Sequence, residues 1–138
     1  MKKILVPLDG SDNSLRAIGT AAEMAGMSGS EITALYVIDQ EQVDRGIVHL
    51  PMGDVMDEFR RLGNVILNKA EKEFAGHGTN IKKKIVVGIP YRAIVDQAAE
   101  YDMIVMCTHG RSALQKAFLG SVADKVIRLA ECPVLTVR

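Results

Sequence analysis

Short apolar runs alternate along the whole chain with longer stretches in which apolar residues recur every three or four positions. "KKILVPL" is too short for a helix, rich in branched aliphatics and closed by Pro7, Asp9 and Gly10, so it predicts a buried strand. "SDNSLRAIGTAAEMAGM" then sets Leu15, Ile18, Ala22 and Ala25 at helical spacing, with Ser11, Asp12 and Asn13 as candidate N-caps. "SEITALYVID" is a second strand, and "QEQVDRGIVHLPMGD" after it carries no periodicity and is expected to be a loop. Val55, Met56, Phe59, Leu62, Ile66, Ala70 and Phe74 mark one face of a long surface helix from Pro51 to Ala75. "IKKKIVV" reads as a third strand and "GIPYRAIVDQAAEY" as a helix with Pro90 suited to its first turn. "DMIVM", "GSVADKVIRLAE" and "PVLTVR" complete the series as strand, helix and strand.

Five short strands alternating with four helices predict a parallel sheet covered on both faces, with right-handed crossovers. The expected class is α/β, a doubly wound domain over residues 1–138. No repeat, low-complexity tract or linker interrupts it.

Composition adds constraints. A chain of 138 residues buries roughly 70% of its unfolded surface without staples, and with 4% aromatics and no Trp the core must be aliphatic. Seventeen basic residues balance seventeen acidic ones, so no global field draws the protein to nucleic acid or an anionic membrane. The run Lys82-Lys83-Lys84 is expected to be a solvated lead-in to the third strand. No uninterrupted apolar run nears the roughly 18 residues of a membrane span, and "MKKILVPLDG" does not resemble a secretory signal. A soluble, cytoplasmic protein is expected.

Two cysteines are too few for a disulfide scaffold. In the expected sheet Cys107 ends the fourth strand and Cys132 precedes the fifth, about 15 Å apart at roughly 3.3 Å per residue. That excludes an intramolecular bridge. Cys107, near a helix N-terminus, would be a reactive thiol if exposed.

In an open parallel sheet, ligands bind beyond the carboxyl ends of the strands. The polar and glycine-rich residues of this chain collect there: Asp9, Gly10 and Ser11 after strand one, Asp39 after strand two, and Thr108, His109 and Gly110 after strand four. Neither G-x-x-x-x-G-K-S/T nor G-x-G-x-x-G after strand one is present, which argues against a P-loop NTPase and a typical dinucleotide enzyme. Gly110, nine further residues and then Gly120-Ser121 at a helix start would make an anion site from backbone N–H groups. Asp9-Gly10-Ser11 is also a plausible turn and cap, and His109 has no catalytic partner visible in sequence. His49, His77 and His109 are too scattered for a transition-metal site.

The stretches "KKILVPLDGSDNSLRAI", "VVGIPYRAIVDQAAEYDMIVM" and "THGRSALQKAFLGSVADKVIRLAECPVLTVR" resemble the universal stress protein family over the whole length. The last is the most specific. Members of that family that bind ATP carry G-x2-G-x9-G-S/T, matched here at Gly110, Gly120 and Ser121, with Cys107 in place of the first glycine. A side chain at that position is tolerated at negative φ and forbidden in the left-handed region.

The resemblance implies an adenine-nucleotide α-hydrolase-like fold and an ATP site. In that site Pro7, Leu8 and Asp9 follow strand one, with Asp9 toward the nucleotide or an associated Mg2+. Val37 packs on adenine, Met106 and Cys107 border the sugar, and Gly110, Gly120, Ser121 and Val122 line the phosphates. Arg111 and Lys116 would add charge. It implies stress signalling rather than fast catalysis, since no base and nucleophile pair is visible. The alternatives are a dimeric interaction module that binds no nucleotide, and a slow ATPase or nucleotidyl transferase with a second pocket from residues 40 to 54. In the sheet order 3-2-1-4-5 the apolar strand "PVLTVR" lies at an edge. Family members commonly dimerise through it, so a two-fold homodimer is expected.

Overall fold

The computed structural model describes residues 1–46, 50–109 and 119–138. Its elements run β1 (Lys3–Pro7), α1 (Asp12–Ser28), β2 (Glu31–Asp39), α2 (Gln40–Arg45), α3 (Met52–Gly76), β3 (Ile81–Gly88), α4 (Pro90–Ala98), β4 (Met103–Cys107), α5 (Ser121–Leu129) and β5 (Val134–Val137). The strands form one parallel sheet in the order β3-β2-β1-β4-β5.

Alternation along the strands divides the core in two. Ile4, Val6, Ile32, Ala34, Ile38 and Val105 face the side covered by α1 and α3, where Ile18, Leu67 and Phe74 meet them. Leu5, Leu35, Ile104 and Met106 face the side covered by α4 and α5, where Ile94 and Val126 pack. Both faces are thus apolar, as a parallel sheet requires.

Two expectations need correction. The stretch after β2 is not wholly loop: Asp39 accepts a hydrogen bond from the Glu41 amide at 3.0 Å and starts the one-and-a-half-turn helix α2, which buries Val43. A helix this short shows little periodicity, and its signal was the aspartate cap. The three lysines lie within β3 rather than ahead of it. Lys82 pairs with Glu31 at 2.9 Å, Lys83 with Glu71 at 3.0 Å, and Lys84 reaches the Gln97 side-chain oxygen. As β3 is an edge strand, these charges guard it against further pairing.

The long helix α3 approaches β2 closely at Gly63, where an added Cβ would stand 2.6 Å from the Tyr36 ring. Its buried line runs through Val55, Gly63, Leu67, Ala70 and Phe74, while Leu62 and Ile66 of the expected face are half-buried beside it. At the opposite end of the sheet, Asp102 accepts hydrogen bonds from the amides of Lys2 and Lys3 at 2.7 and 2.8 Å. These fix the start of β1 against the turn into β4.

Candidate functional site

The first turn after β1 is built by hydrogen bonding. Asp9 Oδ1 accepts from the Ser11 amide at 2.9 Å and from the Ser11 hydroxyl at 2.6 Å, while Ser11 Oγ accepts from the Ser14 amide as the N-cap of α1. Gly10 takes φ +83°, which a side chain would strain. Asp9 therefore does the work of a turn residue and also lines a cleft.

That cleft, about 250 Å3, opens at the carboxyl edge of the sheet. Pro7, Leu8 and Asp9 come to it from the end of β1, Val37 from β2, Met106 and Cys107 from β4, and Gly120, Ser121 and Val122 from the start of α5. Gly110, Arg111 and Lys116, also expected at the site, and His49 lie outside the described residues. The topology supplies the convergence, because β1 and β4 are central neighbours whose chains leave toward opposite faces.

The two ends of the glycine motif are tied together. The Gly120 amide donates to the Thr108 carbonyl at 2.6 Å, and the Thr108 amide donates to the Val137 carbonyl at 2.9 Å. Gly120 is the N-cap of α5 and offers no side chain, so the helix opens without a side-chain cap beside the cleft. Such a terminus favours a negatively charged group.

Sequence reasoning left out of the site several groups that line the cleft. Asp39 and Gln42 stand at its β2 end, Pro90 and Ile94 come from α4, and Thr108 and His109 follow β4. Asp39, Pro90, Thr108 and His109 stand just beyond strand ends, where a ligand was to be sought. Ile94 had a signal in its position one turn after Pro90, and Gln42 depended on the unforeseen α2. Among the described residues the cleft has the carboxylates Asp39 and Asp9 but no Lys or Arg.

Cys107 is buried, and positive φ is confined among the described residues to glycines. Its side chain points to the α1 face of the sheet, where the thiol donates to the Asn13 carbonyl. Burial pushes the thiol pKa up, partly offset by the Ala17 amide and the charge of Arg16. A reactive surface thiol is thus not what this position holds. Cys132 is half-buried, is likewise raised by burial, and forms no bridge.

The Thr108 hydroxyl lies 2.8 Å from His109 Nδ1 and 3.4 Å from the Val137 carbonyl. His109 Nε2 is shut off from solvent and has no hydrogen-bond partner. Among the described residues no group of three or more His, Cys, Asp or Glu is placed to hold a metal, and no helix is long and apolar enough to cross a membrane.

A doubly wound α/β protein with a cleft beyond β1 and β4, floored by apolar side chains and ended by an open helix N-terminus, is the class that the fold defines. The chain belongs to the universal stress protein family, whose profile matches residues 1–138. It is 36% identical over 143 residues to the universal stress protein MJ0531 of Methanocaldococcus jannaschii, covering 99% of this chain and 82% of that protein. The solved structure of MJ0577 from the same organism superposes with a TM-score of 0.86 at 31% identity, covering 99% of this chain and 94% of that one. A universal stress protein solved in complex with cAMP superposes with a TM-score of 0.77 at 29% identity, covering 99% and 97%.

Proposed function

We propose that this protein binds an adenine nucleotide, ATP or a close relative, in the cleft beyond β1 and β4, and acts in stress signalling through its bound state rather than by fast catalysis. The carrying observation is the meeting of Pro7, Leu8, Asp9, Val37, Met106, Cys107, Gly120, Ser121 and Val122 around one cleft. Val37, Ile94 and Met106 offer an apolar floor for a base, and the amides opening α5 suit phosphate oxygens. A relative of the same fold is known in complex with cAMP. Gly110 belongs to the same motif and would complete the phosphate end.

Magnesium fits this donor set, since Mg2+ is usually held by one or two carboxylates together with substrate phosphates. Asp9 would supply that carboxylate, and the metal would offset phosphate charge in a cleft where the described residues place no Lys or Arg. Isothermal titration of ATP with and without Mg2+ tests the reading. Saturable binding at one site per chain, strengthened by Mg2+, is expected; no binding in either condition overturns it and leaves an interaction module. A robust rate of product formation would instead favour the enzyme reading.

The same reading includes a cytoplasmic homodimer joined through β5. The Pro133 and Val137 carbonyls accept from β4 and from the residue after it, so Val134 and Thr136 turn their backbone groups to the open edge. In contrast to β3, β5 carries no charged residue.

A further inference from the structure

Beside the first cleft, on the α1 side of β4, lies a second cavity of about 360 Å3. Asn13 and Arg16 reach it from α1, Thr108 and His109 from the end of β4, and Val137 and Arg138 from the end of β5. Cys107, Thr108 and His109 form the wall between the two spaces.

Among the described residues the two differ in their charged side chains: the first cleft is lined by two aspartates and no Lys or Arg, whereas the second is lined by two arginines and no Asp or Glu. Neither Arg16 nor Arg138 is in an ion pair among the described residues. The charges of Arg16 and Asp9 both reach the Cys107 sulfur and act on it in opposite directions.

The wall also contains the one buried side-chain polar atom without a partner among the described residues, His109 Nε2. The Thr108 hydroxyl lies 2.8 Å from Nδ1 of the same ring and also reaches the Val137 carbonyl at 3.4 Å, and which of the two it donates to sets which ring nitrogen holds the proton. A buried ring nitrogen without a hydrogen-bond partner costs about 1–3 kcal/mol.

We propose that this second cavity is an anion site, distinct from the nucleotide cleft, that takes a small molecule bearing a phosphate group. Arg16 and Arg138 supply charge and donors that suit phosphate oxygens, beside a wall that holds His109. The cavity is larger than a phosphate ion needs, which leaves room for the organic part of the ligand.

Inorganic phosphate is the probe, titrated into the full chain while the histidine ring resonances are followed by NMR, with His77 as internal control. Saturable shifts of His109 are expected, weakened roughly tenfold or more in both Arg16→Gln and Arg138→Gln, the usual scale for losing a charged hydrogen-bond partner. Both arginines are exposed, so the fold tolerates the changes. Phosphate that leaves His109 unmoved, or that binds both variants as tightly as wild type, overturns the proposal. So does phosphate whose binding is lost on saturation with ATP yet untouched by either variant, since it then occupies the first cleft. ATP titrated separately into the same variants reports on the nucleotide reading, so failure of one site is told apart from failure of the other.

Discussion

The Cys107 thiol donates to the backbone carbonyl of Asn13, a residue 94 positions earlier, across the interface of β4 with the start of α1. The contact explains how a side chain can stand where the motif G-x2-G-x9-G-S/T has its first glycine. The residue keeps negative φ, and its sulfur is taken up on the α1 face of the sheet.

Cys107→Gly is therefore expected to leave ATP affinity within about threefold of wild type, because the thiol does not fill the space a nucleotide needs. The same change removes a buried group and loosens a strand, at a cost of about 2 kcal/mol. Titration calorimetry and urea denaturation on the same two proteins check both halves. A large gain in affinity for the glycine variant would show that the cysteine obstructs the site.

Gly63→Ala sets two effects against each other. Alanine inside a helix gains about 1 kcal/mol over glycine, but here its Cβ would stand 2.6 Å from the Tyr36 ring. Overpacking of this kind costs about 1–3 kcal/mol, so net destabilisation is expected. Combining it with Tyr36→Val should recover part of the loss, which a double-mutant cycle in urea measures.

The Asp102 carboxylate is held below the usual carboxylate range, first by the amide of Lys2 and then by that of Lys3. A folded-state pKa below the unfolded one gives stability that is present above the unfolded value and lost as pH falls through the folded value. Asp102→Asn should lower the melting temperature near neutral pH, and its gap from wild type should close below about pH 4. Thermal melts across that range decide it; a constant gap would mean the charge plays no part.

Thr136→Pro probes the free edge. Thr136 directs its backbone groups away from β4, so proline there removes an outward N–H and spares the inner ladder. Wild type is expected to sediment at twice the 15.0 kDa chain mass and the variant at that mass itself. Equal masses for both would remove β5 from the interface.

Most of the fold was legible because its elements obey simple periods. The runs ending at Pro7, Asp39, Gly88 and Cys107 are short, branched and apolar, and the helices between them show clear faces. The cleft was legible for the same reason: once the strands were known, the residues beyond them were a short list. The conformation of Cys107 was not, since its fate depended on an acceptor at Asn13 that only the packing of α1 supplies. Nor was the second cavity, which joins residues from α1, β4 and β5 that share no motif.

The lysines of β3 set a limit on growth. A sheet with one guarded and one bare edge favours a single extension: two copies joined at their bare edges would present β3, with Lys82, Lys83 and Lys84, at either end. A third copy would meet a charged edge there. Assembly through β5 would then be self-terminating, and open filaments, the hazard of any exposed parallel sheet, would be opposed by three lysine side chains remote from the cleft.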